Sequence, residues 1–279
     1  MFSKFRAKLF YGWVIVFAGA LINAVGIGVV SYCFTIFFLP LRRDLGLSSA
    51  AVSLVYGASR LEGGLEGPLV GYLINRLGPR KMILAGAILT GIGFLLLPRV
   101  NSFLMLLFVY VFIISIGSNA GFFHPVSAAI NSWFIRYRGV TFGIISAAIG
   151  LGGVIMAPVL SYFTLQYSWR TAAVFAGVVI ITVSVPLAFL IYRSPEERGL
   201  LPDGKPIQNN TTDQPGSLEL TTKEVDFKVK EAIKTFTYWL LTLCITLRIL
   251  VTIALTCHFI PILVWKGMSE STAAYLLSL

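Results

Sequence analysis

Four ionisable side chains fall where apolar runs leave them little water: Arg60, Glu62 and Glu66 in one run and Arg248 in another. In a bilayer core each such group costs about 2.5 to 3.5 kcal/mol on insertion scales, so each requires a partner, a cavity or a function. With about 100° per residue on a helix, Glu62 and Glu66 share one face and Arg60 points roughly 200° away from Glu62. Arg60 instead lies on the side of Ser53, Tyr56, Gly57, Gly64, Gly67 and Gly71. The planar fork of an arginine on such a face suits a carboxylate, either that of an anionic substrate or that of an acid on another span. Arg248 has the same two readings. Two neighbouring carboxylates disfavour double ionisation, so Glu62 and Glu66 are able to share a proton and serve proton coupling; pairing with an arginine elsewhere is the other reading. His258 offers either a ring whose charge can switch or a hydrogen-bonded packing histidine. Asn23, Ser31 and Tyr32, and further on Ser115, Asn119 and His124, add polarity that can also be spent on a neighbouring backbone carbonyl. The candidates for substrate contact are therefore Arg60, Arg248, Asn23, Asn119 and His258.

The elements that would position these groups are set by composition. With 57% hydrophobic and 12% charged residues and a mean hydropathy of +0.84, the chain is too apolar for a soluble domain of its length. Spanning requires about 20 mostly apolar residues, and such runs occupy 11–38, 50–74, 82–98, 103–132, 140–165, 171–192 and 237–264, with a further one starting near Ser271. The expectation is an all-α integral membrane protein with about seven complete transmembrane helices and the start of an eighth. Lys4, Arg6 and Lys8 ahead of the first run mimic a secretory signal, but the run is too long and lacks a small-residue cleavage site, so a retained helix is expected. Cys33, Cys244 and Cys257 all lie within spans without paired spacing, so neither a disulfide framework nor a metal site is expected.

A net charge of +10 raises the question of nucleic acid, and the distribution of the cations answers it. Lys4, Arg6, Lys8, Arg76, Arg80, Lys81, Arg136, Arg138 and seven more between Arg193 and Lys234 fall on one side; Arg42, Arg43, Arg99, Arg170 and Lys266 fall on the other. This is positive-inside bias, with the N-terminus cytoplasmic, so the basic balance reports topology and no nucleic-acid partner is expected; the lipid bilayer is the implied solvent. Residues 1–192 form an N-terminal six-helix unit. Residues 193–236 read as a flexible cytoplasmic linker, with a helix from Lys223 to Thr235 lying in the interface, and residues 237–279 begin a second unit. The sequon at Asn210 would lie in the cytoplasm and stay unmodified. The plan is that of two six-helix halves, of which the second is mostly missing, so the chain reads as a piece of a twelve-helix protein. Small residues four apart, at Gly63, Gly67 and Gly71, at Gly117 and Gly121, and at Gly139, Gly143 and Ala147, mark faces where helices can approach closely. His124 precedes Pro125, which frees a carbonyl one turn back and predicts a bend.

Between the second and third runs stands Gly71-Tyr-Leu-Ile-Asn75-Arg76-Leu-Gly78-Pro-Arg80-Lys81, a short basic connection with two helix breakers. It resembles the loop between helices two and three of the major facilitator superfamily, with Asn75 where that family usually has an aspartate. The segment from Trp133 to Gly150, with Phe134, Arg136, Arg138, Gly143 and Gly150, resembles the fifth-helix motif of the monocarboxylate porter and oxalate:formate antiporter group. Tyr11-Gly12-Trp13, Ser168-Trp169-Arg170 and the Pro195 to Gly204 run are similar to bacterial members of that group. The resemblance implies a major facilitator-type bundle of twelve helices, a cytoplasmic gating loop at Gly71, Asn75, Arg76, Gly78, Arg80 and Lys81, and a small organic anion, a monocarboxylate by subgroup, as substrate. Loss of the aspartate charge at Asn75 rewires any lock built on that loop.

No phosphate-binding loop, metallohydrolase motif or filter-like carbonyl loop occurs, so a gradient and not ATP would drive transport, no cofactor is expected, and an enzyme is disfavoured. The alternative within the same fold is proton-coupled efflux of hydrophobic or cationic compounds through Glu62 and Glu66. The orientation is open to direct test. Gln208→Cys and Asn101→Cys, each in a background lacking the native cysteines, should differ toward an impermeant thiol reagent added to intact cells: Asn101→Cys labels and Gln208→Cys stays protected, and the opposite pattern overturns the assignment.

Overall fold

A computed structural model describes residues 10–204, 231 and 233–277; the basic residues Lys4, Arg6 and Lys8 and most of the expected interfacial helix lie outside them. Eight helices follow the eight runs: α1 Tyr11–Asp44, α2 Ser49–Leu77, α3 Pro79–Leu96, α4 Phe103–Trp133, α5 Arg138–Gln166, α6 Trp169–Ala188, α7 Phe236–Trp265 and α8 Glu270–Leu277. Six of them, all but α2 and the short α8, are long and apolar enough to cross a membrane. The polarity of α2 is concentrated in Arg60, Glu62 and Glu66, midway along its length.

Helix starts follow local chemistry. Ser48, Ser102 and Ser168 accept the N–H of Ala51, Met105 and Thr171 at 3.1, 3.3 and 3.1 Å, capping α2, α4 and α6. The turn from α2 into α3 is the single residue Gly78, at φ 83° and ψ 159°, followed by Pro79 in the first turn of α3. Only glycine takes that backbone conformation without strain, and proline gives up an N–H that has no helical partner there. Helix α4 is irregular: Phe108–Ser115 is π-helical, and the chain breaks at Phe122, with φ −110° and ψ −85°. Pro125 cannot donate to the Gly121 carbonyl, so the bend expected at His124 and Pro125 is present one turn earlier.

The first six helices pack as two interlocked triplets. Helix α1 lies against α5 and α6, α4 lies against α3 and α2, and α3 meets α6. This pairing is what a nested repeat of three helices plus three produces. Three crossings are backbone to backbone. A Cβ on Gly86 would lie 2.2 Å from Gly121 Cα, one on Gly152 would lie 2.0 Å from the Ala24 carbonyl oxygen, and one on Gly177 would lie 2.8 Å from the Gly91 carbonyl oxygen. Of the small-residue faces expected from sequence, Gly117 and Gly121 close on α3, and Gly63 closes on the Asn119 side chain of α4. Gly57, Gly64, Gly67 and Gly71 on α2 and Gly139, Gly143 and Gly150 on α5 have nothing within 4 Å among the described residues. Those glycines have the spacing for close approach, and the six-helix body does not use it.

Helix α7 touches this body only near its far end. Thr35 Oγ1 donates to the Thr256 carbonyl at 3.0 Å, and Cys257 and Ile260 are buried, while 236–252 is exposed throughout. At the same end Arg43 pairs with Glu270 of α8 at 2.7 Å, and Arg170 pairs with Asp44.

A branched side chain at the tightest crossing has no room to be accommodated. Gly86→Val should lose about 3 kcal/mol or fail to assemble, whereas Gly64→Ala should change stability by less than about 0.5 kcal/mol, read by thermal unfolding in detergent.

Candidate functional site

The register of α2 brings Ser53, Tyr56 and Arg60 onto one face, as the sequence implies. The Arg60 guanidinium lies 4.7 Å from the centre of the Tyr56 ring and donates to Tyr56 Oη at 2.6 Å. Tyr56 stacks on Phe34 of α1 at 4.7 Å, and Phe34 meets Tyr110 of α4 edge-on at 4.8 Å. Tyr110 and Cys257 both lie close enough to Arg60 to interact electrostatically with it. The Tyr110 hydroxyl is buried and has no hydrogen-bond partner among the described residues. Arg60 itself is exposed, and no carboxylate among the described residues pairs with it. One end of the guanidinium is thus held by an aromatic platform while the rest stays open, an arrangement able to receive an anion. Sequence reading did not single out Tyr110 or Cys257 for this site; each sits in an unbroken apolar run, and only the meeting of α1, α2, α4 and α7 brings them to Arg60.

His258 continues this face toward the α7–α1 contact. Its Nε2 is 3.5 Å from Ser53 Oγ and its ring packs edge-on to Phe38 at 5.5 Å. It bridges three helices in the manner of a packing histidine.

Three other candidates are placed elsewhere. Asn23 is fully buried in α1 and donates to the Gly19 carbonyl at 3.0 Å, so it does not reach the open face. Arg248 is exposed, and no ion pair involves it among the described residues; at 1.5 Å of rise per residue it lies about 13 Å along α7 from Cys257, so the two arginines do not converge here. Asn119 and the two glutamates form a separate group on the α4 side of α2. Ser115 donates to Glu62 Oε2 at 2.7 Å, Glu66 neighbours Glu62 and Asn119, and Asn119 packs onto Gly63. No arginine pairs with either glutamate among the described residues, and the two carboxyl groups are neighbours.

The basic loop from Gly71 to Lys81 engages its own half. Arg80 donates to the carbonyls of Ile191 at 3.0 Å and Phe189 at 2.7 Å, satisfying acceptors that the end of α6 leaves open. Asn75 makes no side-chain hydrogen bond among the described residues; its backbone carbonyl accepts from Arg193 at 2.7 Å. Arg76 reaches only Tyr72, at 3.4 Å, and Lys81 is exposed.

The linker expected from Arg193 onward is docked over its first residues. Arg198 lies over the rings of Tyr11 and Tyr192 at 3.7 and 4.4 Å and bonds the Tyr192 hydroxyl at 3.1 Å. That hydrogen bond, helped by Arg80, holds the Tyr192 phenol below its ordinary pKa. Asp203, at a left-handed φ of 61°, accepts the backbone N–H groups of Ile135 and Arg136 at 3.3 and 3.0 Å, just ahead of α5. In the fifth-helix motif, Phe134 is buried among Phe10, Trp13 and neighbouring rings, Arg138 donates back to the Phe134 carbonyl at 2.8 Å, and Arg136 sits over Tyr137. The physical reason for the docking is a surplus of unpaired backbone groups at these helix ends, which the Pro195 to Gly204 run satisfies.

A bundle of long apolar helices in two interlocked triplets, with ionisable groups at mid-span, defines a polytopic membrane protein. Residues 16–279 match the model of the Major Facilitator Superfamily, and the chain belongs to that family. It is similar to the glycerol-3-phosphate transporter of Bacillus subtilis (strain 168), 27% identical over 81% of this chain and 51% of that protein. It is also similar to the oxalate:formate antiporter of Oxalobacter formigenes, 24% identical over 76% and 46%. The chain thus spans about half the length of these curated relatives. A crystal structure of a bacterial homologue of the human lysosomal transporter Spinster, inward-facing and unoccupied, superposes with a TM-score of 0.71 at 22% identity over 95% of this chain and 58% of that one, a likeness of fold.

The docked run is testable by stability. Asp203→Ala removes the acceptor for two backbone N–H groups and should cost about 1 kcal/mol, seen as a lowered unfolding temperature in detergent.

Proposed function

We propose that this chain is part of a secondary active transporter of small organic anions, with monocarboxylates the leading class, driven by a gradient through alternating access. The observation that carries the reading is Arg60, a cation midway along a membrane helix whose guanidinium is held on one side by Tyr56 and open on the other. An uncompensated charge at that depth is costly, and an anionic substrate would offset the cost while it is bound. The names of two relatives, a glycerol-3-phosphate transporter and an oxalate:formate antiporter, both point to small organic anions. The open glycine faces on α2 and α5 fit surfaces against which a second helical half would rock, and the exposed stretch of α7 fits the same plan. Transport in this reading needs no cofactor and no nucleotide. We place the protein in the cell membrane with its N-terminus and the Gly78 turn on the cytoplasmic side, in keeping with the positive-inside bias.

The experiment is binding and uptake of small mono- and dicarboxylates by the intact protein, purified and reconstituted. Arg60→Ala should weaken binding roughly tenfold to a hundredfold, and Arg60→Lys should rescue poorly because it keeps the charge without the fork. Unchanged affinity in a monodisperse Arg60→Ala protein would remove Arg60 from the substrate site.

A further inference from the structure

Helix α2 has two chemically opposed sides. Arg60 looks toward Tyr56 and Tyr110, whereas Glu62 and Glu66 look into a groove against α4 with a volume of about 590 Å³. Leu61, Leu65 and Leu69 of α2 and Phe112 and Ile116 of α4 line that groove, so its walls are almost entirely apolar. The equivalent contact, α1 on α5, is closed backbone to backbone by Gly28 and Gly152; between α2 and α4 the close approach is Gly63 to the Asn119 side chain, and the two acids flank it.

No fixed cation among the described residues faces these acids. Helix α4 contains no Lys, Arg, Asp or Glu; its titratable groups are Tyr110, which faces Arg60, and His124, which is exposed five residues beyond Asn119. The charges of α3 are Arg80 and Lys81, at its first turn, and Arg80 is bonded to the end of α6. Ser115 and Asn119, the polar groups that α4 presents, are neutral. The hydrogen bonds are also one proton short. Ser115 Oγ has a single hydrogen for two acceptors, Glu62 Oε2 at 2.7 Å and the Ser59 carbonyl at 3.0 Å. Glu66 Oε2 is buried and has no hydrogen-bond partner among the described residues. Leaving two carboxylates side by side in an apolar groove with an unbonded oxygen is costly on both electrostatic and desolvation grounds.

We propose that Glu62 and Glu66 form a proton-binding site in the α2–α4 groove, holding one proton between the two carboxyl groups on the side of α2 away from Arg60. Ser115 reads the occupancy. With the proton on Glu62, its carboxyl donates to Ser115 Oγ and the serine hydrogen turns to the Ser59 carbonyl; with the proton lost or moved to Glu66, the serine donates to Glu62. Removal of the proton places two like charges in the groove and drives α2 away from α4, which moves Arg60 on the opposite side of the same helix. The link to Arg60 rests on the transport reading above; the proton site does not.

Carbodiimide chemistry tests the site without any substrate, so its failure is distinguishable from failure of the transport reading. An apolar carbodiimide adds to a protonated carboxyl: the acid proton goes to a carbodiimide nitrogen, the carboxylate oxygen bonds the central carbon, and the adduct rearranges to a stable N-acylurea with no leaving group. Dicyclohexylcarbodiimide added to membranes containing the intact protein should modify the peptide carrying Glu62 and Glu66. The yield should fall severalfold between about pH 6 and about pH 9, and a water-soluble carbodiimide should leave the peptide unmodified. Glu66→Gln and Glu62→Gln, both close in shape to the native residue and checked for monodispersity, should each lower modification of the remaining carboxyl severalfold at about pH 9, because burial alone then retains the proton, without the neighbouring acid's hydrogen bond and like charge. Three results overturn the proposal: no modification in folded protein, modification independent of pH, or modification by the water-soluble reagent. Protection by the lipophilic cation tetraphenylphosphonium at every pH does so too, since it marks the groove as a site for organic cations.

Discussion

Gly86 and Gly121 can pass only because neither carries a side chain, and a methyl group on either would stand within 2.6 Å of the other's backbone. In a hydrocarbon solvent, lipid tails are as apolar as leucine, so helices gain little by hiding leucines from them. Cohesion comes from close backbone packing, and the glycine crossings of α3 with α4, α1 with α5 and α3 with α6 supply it. These three approaches fix α3 on α4 and α6, and α1 on α5. Once they are made, the backbone of each helix is satisfied within itself, and side chains are free to be distributed by chemistry.

Helix α2 is where that freedom is used. It makes no comparable glycine-to-glycine crossing with α4, and its own glycines at 57, 64, 67 and 71 are open. A helix held loosely on one side and bare on another can carry ions that a tightly packed helix could not. Arg60 is stabilised by the ring and hydroxyl of Tyr56, and Glu62 by the hydroxyl of Ser115. Neither arrangement neutralises the charge. Each supplies a hydrogen bond and leaves the electrostatic debt to be met by something that arrives, an anion at one face and a proton at the other in the readings proposed above.

The ends of α1, α4 and α6 near Gly78 show the opposite strategy. There Arg80, Tyr11, Trp133 and Ser132 converge on the carbonyls of residues 189–193, and Arg198 stacks across Tyr11 and Tyr192. Each of these groups closes a backbone acceptor or covers an aromatic face. The basic turn after α2 accordingly works here as a fastener within one half, joining the start of α3 to the end of α6.

The positions of the eight helices, the Gly78 turn and the division of α2 into an arginine face and a glutamate face were determined by the sequence alone. Each depends on residues within about one or two turns of one another, where helical periodicity and side-chain volume suffice. Tertiary structure decided which glycine faces close and which stay open, that Tyr110 and Cys257 stand beside Arg60, that Ser115 bonds Glu62, and that Arg80 and Asp203 serve distant helix ends. It also kept Arg248 apart from Arg60 and turned Asn23 inward. Apart from Asn23, which bonds its own helix, those outcomes join residues roughly 35 to 200 positions apart, and no local period encodes which two apolar faces will meet, because in lipid many faces are equally apolar and only the fit of backbones selects among them.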